Sequence, residues 1–189
     1  MREGGGRTRL WAALALSFLF ALSARGAEPA GGQASPLGHA PLEYFAAKCA
    51  RCHGPYGSFY GEEFGRKRSD AGLRQVVREM AEGPAGSPLA GRELDAQVAF
   101  HRALLAKEPF LAWTAQSENG IAGEVSPDST VTARLNDRET SAQLDDTRWR
   151  VALPPGALAQ SVTVVACSGA SSTTLALRDA SFSHGVPRR

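Results

Sequence analysis

Pro41-Leu42-Glu43-Tyr44-Phe45-Ala46-Ala47-Lys48-Cys49-Ala50-Arg51-Cys52-His53-Gly54-Pro55 decides how this chain is read. Pro41 suits a first helical position, where its missing N–H costs nothing. Leu42, Phe45 and Cys49 then recur at helical spacing. From Gly54 to Gly65 the sequence is dense in glycine and aromatics (Tyr56, Phe59, Tyr60, Phe64) and predicts a structured loop. Ser69 or Asp70 can cap a second helix with Leu73, Val77 and Met80 on one face, ended by Gly83-Pro84. A small-residue loop, Ala85 to Ala90, leads to a third helix over Gly91 to Ala106. Its apolar stripe carries Leu94, Val98, His101 and Leu105, with Phe100 and Leu104 on an adjoining face.

Around Pro109 the periodicity changes. Val131-Thr132-Ala133-Arg134-Leu135 alternates, as do the segments around Trp149, Val151 and Leu153 and around Val162, Val164 and Ala166. Turn signals at Glu118-Asn119-Gly120, Ser126-Pro127-Asp128, Asn136-Asp137 and Pro154-Pro155-Gly156 separate them. Short alternating strands at this spacing predict a small antiparallel β-sandwich with Trp113 and Trp149 in its core.

The start of the chain reads as an address. Met1 to Arg9 carry three arginines and one acid, and an apolar run of 13 residues, Leu10 to Leu22, follows. Ser23-Ala24-Arg25-Gly26-Ala27 supplies a small-residue exit, which completes a secretory signal peptide over residues 1–27. The run falls short of the roughly 20 residues that span a bilayer, although an uncleaved signal would anchor the chain. The expected location is therefore periplasmic or otherwise exported. Residues 28–40 read as a flexible leader and 179–189 as a disordered tail. With 21 basic and 19 acidic residues, the charge balance gives no reason to expect a nucleic-acid partner.

Three cysteines in an exported chain cannot all pair within one molecule. Cys167 stands alone in an expected strand and is assigned as a buried free thiol. Cys49 and Cys52 form the pattern C-x-x-C-H with His53, the haem attachment pattern. Two thiols on one turn can reach the two vinyl groups of a porphyrin edge, and His53 can then ligate the iron. A redox disulfide would want a thioredoxin-like β-α-β setting, and a zinc site a second Cys/His pair; neither pattern is present.

The stretch Tyr44 to Pro55, with the later Val98-Ala99-Phe100-His101-Arg102-Ala103-Leu104, resembles the class I mono-haem cytochrome c domain. The resemblance implies an all-α cytochrome c fold over residues 41–108, followed by the separate β-sandwich module over 109–178. It implies crossed first and last helices, with Phe45 near Phe100, and one covalent haem c. It also implies a distal methionine. Met80 is the candidate, although Ser87-Pro88 stands where the family places its methionine; His101 is the rival, with His39 and His184 behind it. Arg66-Lys67-Arg68 reads as a solvated turn or as a dock for an acidic redox partner. The β segment loosely resembles bacterial immunoglobulin-like or carboxypeptidase regulatory-like modules through Gly123-Glu124-Val125-Ser126-Pro127 and Thr147-Arg148-Trp149-Arg150-Val151.

The expected function is electron transfer to redox protein partners, without substrate turnover. A vacant distal site would instead give a ligand sensor or peroxidase-like enzyme. A Cys49–Cys52 disulfide would leave a haem-free structural module.

Overall fold

Glu124 makes the contact that organises the molecule. In the computed structural model, which describes residues 36–64 and 68–179, this buried carboxylate accepts hydrogen bonds from the backbone N–H groups of Leu42 (2.7 Å) and Glu43 (3.1 Å). Those are free donors in the first turn of α1 (Pro41–Lys48), a helix whose N-cap residue, Ala40, offers no side-chain acceptor. The cap comes instead from strand β2, far along the chain. Glu43 adds an exposed ion pair to Arg148 at 2.7 Å.

Three further helices follow. The short α2 (Ala50–His53) is offset from α1 at Cys49. Helix α3 (Asp70–Glu82) is capped by Ser69, whose Oγ accepts from the Gly72 N–H at 3.2 Å. Helix α4 (Gly91–Ala106) ends with Lys107 in the left-handed conformation. The strands are β1 (Leu111–Ser117), β2 (Gly120–Val125), β3 (Thr130–Leu135), β4 (Arg138–Ser141), β5 (Gln143–Asp145), β6 (Arg148–Ala152), β7 (Val162–Ser168) and β8 (Ser171–Ala176). They form two four-stranded antiparallel sheets in the orders β1-β2-β6-β5 and β4-β3-β7-β8.

One cluster joins the sheets. Trp113, Ile121, Trp149 and Val151 from the first meet Val131, Ala133, Val164, Ala166 and Leu175 from the second. A second cluster joins the helices to the first sheet: Leu42, Phe45, Ala99, Phe100 and Ala103 pack with Phe110 and Ala112. Phe100 stands edge-on to both Phe45 (5.0 Å between ring centroids) and Phe110 (5.5 Å). A third cluster lies between α3 and α4, where Leu73, Val77 and Ala81 meet Leu89, Leu94 and Val98.

These contacts overturn the expected fold class. Four short helices and two antiparallel sheets make a mostly β structure, and the described residues form one compact unit. No separate all-α cytochrome domain is present among the described residues. The physical reason is size: helices of 8 and 4 residues cannot close an apolar core by themselves, so Phe45 and Phe100 complete theirs on Phe110 and Ala112 of the sheet.

Two smaller expectations also fail. Cys167 is exposed, because Val162, Val164 and Ala166 take the inward positions of β7 and the next residue must point out. The last leader residues are not loose, since the Leu37 and Gly38 N–H groups bond the Trp113 and Thr114 carbonyls at 3.0 and 3.1 Å. The expected signal peptide, most of the expected leader, Arg66, Lys67 and the C-terminal segment with His184 lie outside the described residues. Among the described residues, no helix is long and apolar enough to cross a membrane.

Glu124→Ala should cost about 2–3 kcal/mol in urea unfolding, because it strands two N–H groups at the helix–sheet junction. Burial pushes the Glu124 carboxyl above its usual range, against the pull of the two N–H donors. The native state then holds that proton more tightly than the unfolded chain. The associated stability is present below the unfolded carboxylate range and is lost as pH rises towards the raised native value. Urea midpoints of Glu124→Gln should lack that decline.

Candidate functional site

The C-x-x-C-H segment takes its shape from one glycine. After α2, Gly54 adopts φ 74° and ψ 166°, a region open essentially to glycine alone. A Cβ there would also run into the Phe59 ring and Ser58. The turn folds the chain back, so that the Phe59 N–H bonds the His53 carbonyl at 2.9 Å. Gly54→Ala should therefore lower stability by about 1–3 kcal/mol, measured by urea unfolding.

Beside this turn lies a cavity of about 350 Å³, within the range of small-molecule and cofactor pockets. Cys49 and His53 stand on its wall, together with Tyr44, Tyr60 and Phe64. Leu73, Val76, Val77 and Ala81 of α3 and Leu89 give it an apolar side; Gln97 and His101 of α4 give it a polar one. Glu63 and Arg68 also border it. Cys52 is exposed and does not line the cavity.

The aromatic side is closely arranged. Tyr60 lies 4.8 Å from the His53 ring and stacks on Phe64 at 3.7 Å between centroids. Its hydroxyl is 3.2 Å from His101 Nε2. His101 Nδ1 stands 2.7 Å from the Gln97 carbonyl. A carbonyl can only accept, so Nδ1 carries the proton and Nε2 offers a lone pair to the Tyr60 hydroxyl. Burial lowers the His101 pKa to about 4, so this ring is neutral at ordinary pH. The Gln97 side chain is 1% exposed, and neither its Nε2 nor its Oε1 has a hydrogen-bond partner.

The sequence-predicted residues therefore separate. Cys49, His53, Met80 and His101 share one cavity, whereas His39 lies outside the lining, its ring tilted against Tyr44 at 5.4 Å between centroids. Met80 remains inside helical α3, is 40% exposed and sits at the cavity edge; α3 does not unwind before Gly83 to redirect it. Ser87 and its loop are held in place, the Ser87 carbonyl accepting from the Tyr44 hydroxyl at 2.6 Å. Gln97 escaped the sequence reading. Its one signal is its position one helical turn before His101, flanking the apolar stripe.

The environment of Cys49 does not favour an attacking thiol. Both thiols are free, and burial together with neighbouring Cys52 raises the Cys49 pKa, whereas an attacking thiol needs a lowered one. Among the described residues, no three Cys, His, Asp or Glu side chains are grouped to hold a metal ion, as a zinc site would require. The donor set suits haem better: one imidazole and one thiol on a largely apolar cavity wall, the second thiol on the exposed side, and a buried amide awaiting a polar partner. No protein-family description, curated protein or solved structure matches the chain.

Proposed function

We propose that this chain is an exported c-type haem protein that carries electrons between protein partners. The observation that carries the reading is the placement of Cys49 and His53 of C-x-x-C-H on the wall of an apolar cavity of about 350 Å³. Bound there, haem supplies one-electron chemistry between ferric and ferrous iron.

The protein's own residues do the rest. Cys49 and Cys52 would hold the porphyrin edge through thioethers, and His53 would provide an imidazole to the iron. Leu73, Val76, Val77 and Leu89 exclude water from the cavity, which tunes the reduction potential through the local dielectric. Exposed Cys52 and Phe59, which is 72% exposed, lie on the side where a redox partner can approach. Met80 and His101 line the same cavity and would be candidates for a second iron ligand. The sandwich is the base against which α1 and α4 are set, and no grouped nucleophile, acid and base in it calls for turnover.

The test is the visible spectrum of the full chain exported together with haem-attachment machinery. A low-spin spectrum that cycles reversibly with dithionite and ferricyanide, with no turnover of added peroxide, is the expected result. A high-spin ferric spectrum with peroxide turnover would reassign the protein to the peroxidase-like class.

A further inference from the structure

Within the haem reading, on which this inference rests, we propose that His101, and not Met80, supplies the sixth iron ligand, so that the site is a bis-histidine one. Three independent features of the cavity lead there.

The first is the tautomer. Imidazoles that bind metals donate their other ring N–H to a carbonyl or carboxylate, which fixes the ring and directs the remaining lone pair at the metal. His101 is already set in that way: Nδ1 is bound to the Gln97 carbonyl of its own helix at 2.7 Å, leaving Nε2 as the free base. Among the described residues its partner at Nε2 is the Tyr60 hydroxyl at 3.2 Å, a contact that an incoming metal can replace. Met80 has no comparable preparation; it is 40% exposed on a helix that stays intact.

The second is the arrangement around Tyr60. Its ring centroid lies 4.8 Å from that of His53 and 6.0 Å from that of His101. One aromatic ring thus touches both imidazoles from within the cavity they share, with Phe64 stacked on it. Tyr60 and Phe64 belong to the loop beyond Gly54, whereas His53 and His101 sit on α2 and α4.

The third is Gln97. A buried amide with all of its hydrogen-bonding capacity unused is costly unless something polar enters beside it. It sits one turn from His101 on the same cavity wall. A cofactor that brings a carboxylate arm supplies the missing partner.

The experiment compares wild type, His101→Ala, Met80→Leu and Gln97→Ala, each exported as the full chain with haem attachment. Intact mass is read first and absorption second. The wild-type ferric protein should be low-spin without the weak red band of a thioether ligand, and Met80→Leu should match it. His101→Ala should lose nearly all of the low-spin signal and recover it with added imidazole. Gln97→Ala should stay low-spin while loading less haem per chain. A thioether band in the wild type, a high-spin wild type, or a spectrum that follows Met80 would overturn the assignment. The wild-type spectrum decides even if His101→Ala fails to fold. A chain with no haem mass defeats the haem reading itself, whereas haem mass with a Met80-dependent spectrum defeats only the role of His101.

Discussion

Replacing both thiols, Cys49→Ser with Cys52→Ser, should abolish covalent cofactor retention entirely. Export with haem-attachment machinery, followed by denaturation in acidified organic solvent, is the measurement. The wild-type polypeptide should keep its haem through denaturation, and the double variant should release all of it. Each single variant should retain a reduced amount, because one thioether still tethers the porphyrin. The expected effect is large because, on the proposed reading, the thioether bonds hold the cofactor when denaturation removes the cavity of about 350 Å³. The same double variant should unfold in urea much as the haem-free parent does. Cys52 is exposed and Cys49 only half-buried, so serine at these positions disturbs little of the core. That separation of loading from stability distinguishes a cofactor anchor from a structural pair.

Gly123→Ala should be the most damaging single substitution in the sandwich, costing about 3–5 kcal/mol in chemical unfolding. Gly123 lies at the centre of β2, opposite Trp113 on one side and Trp149 on the other. A Cβ at Gly123 would overlap the Ala112 backbone carbonyl and would stand 2.6 Å from Trp149 Cζ2. Neither neighbour can yield. The Ala112 carbonyl is fixed in the sheet, and the Trp149 indole is fully buried with its Nε1 donating to the Glu124 carbonyl at 3.2 Å. Glu124 is the next residue, so a shift of β2 would also pull its carboxylate from the first turn of α1. The variant should therefore reduce haem loading as well, although Gly123 lies outside the cavity lining.

That coupling explains which parts of this molecule were legible in the sequence. Local signals were read well: the Ser69 cap, the span of α4, the turns between strands and the inward Trp113 and Trp149 all follow from nearest-neighbour chemistry. Parity was read less well. Cys167 was placed inward when Val162, Val164 and Ala166 already fixed the opposite register, so one residue of offset turned a buried thiol into an exposed one. The join between helices and sheet was not legible. It depends on Glu124 reaching the N–H groups of Leu42 and Glu43, 82 and 81 residues away in sequence, and on Phe110 and Ala112 finishing the core around Phe45 and Phe100. In the sequence Glu124 is only an acid near the end of an apolar strand.

The candidate site divides in the same way. Cys49, Cys52 and His53 are contiguous, so their spacing announces them. The far side of the cavity is assembled from α3 and α4, and spacing says nothing of which side chain turns inward. Met80 looked eligible as the one methionine after the signal peptide, yet helix geometry keeps it at the rim. His101 looked like a residue that had merely found partners, yet one of those partners fixes the tautomer that leaves Nε2 free. Gln97, unremarked in sequence, is a buried polar side chain on the cavity wall whose amide has no hydrogen-bond partner.

The central claim is that this chain carries one covalent haem at Cys49 and Cys52. The intact mass of the full-length protein, exported alongside haem-attachment machinery and measured under denaturing conditions, tests it most directly. The account predicts the mature polypeptide mass plus that of one haem, confined on peptide mapping to the fragment bearing Cys49 and Cys52. A mature chain carrying no added haem, with those two cysteines free or joined to each other, would contradict it.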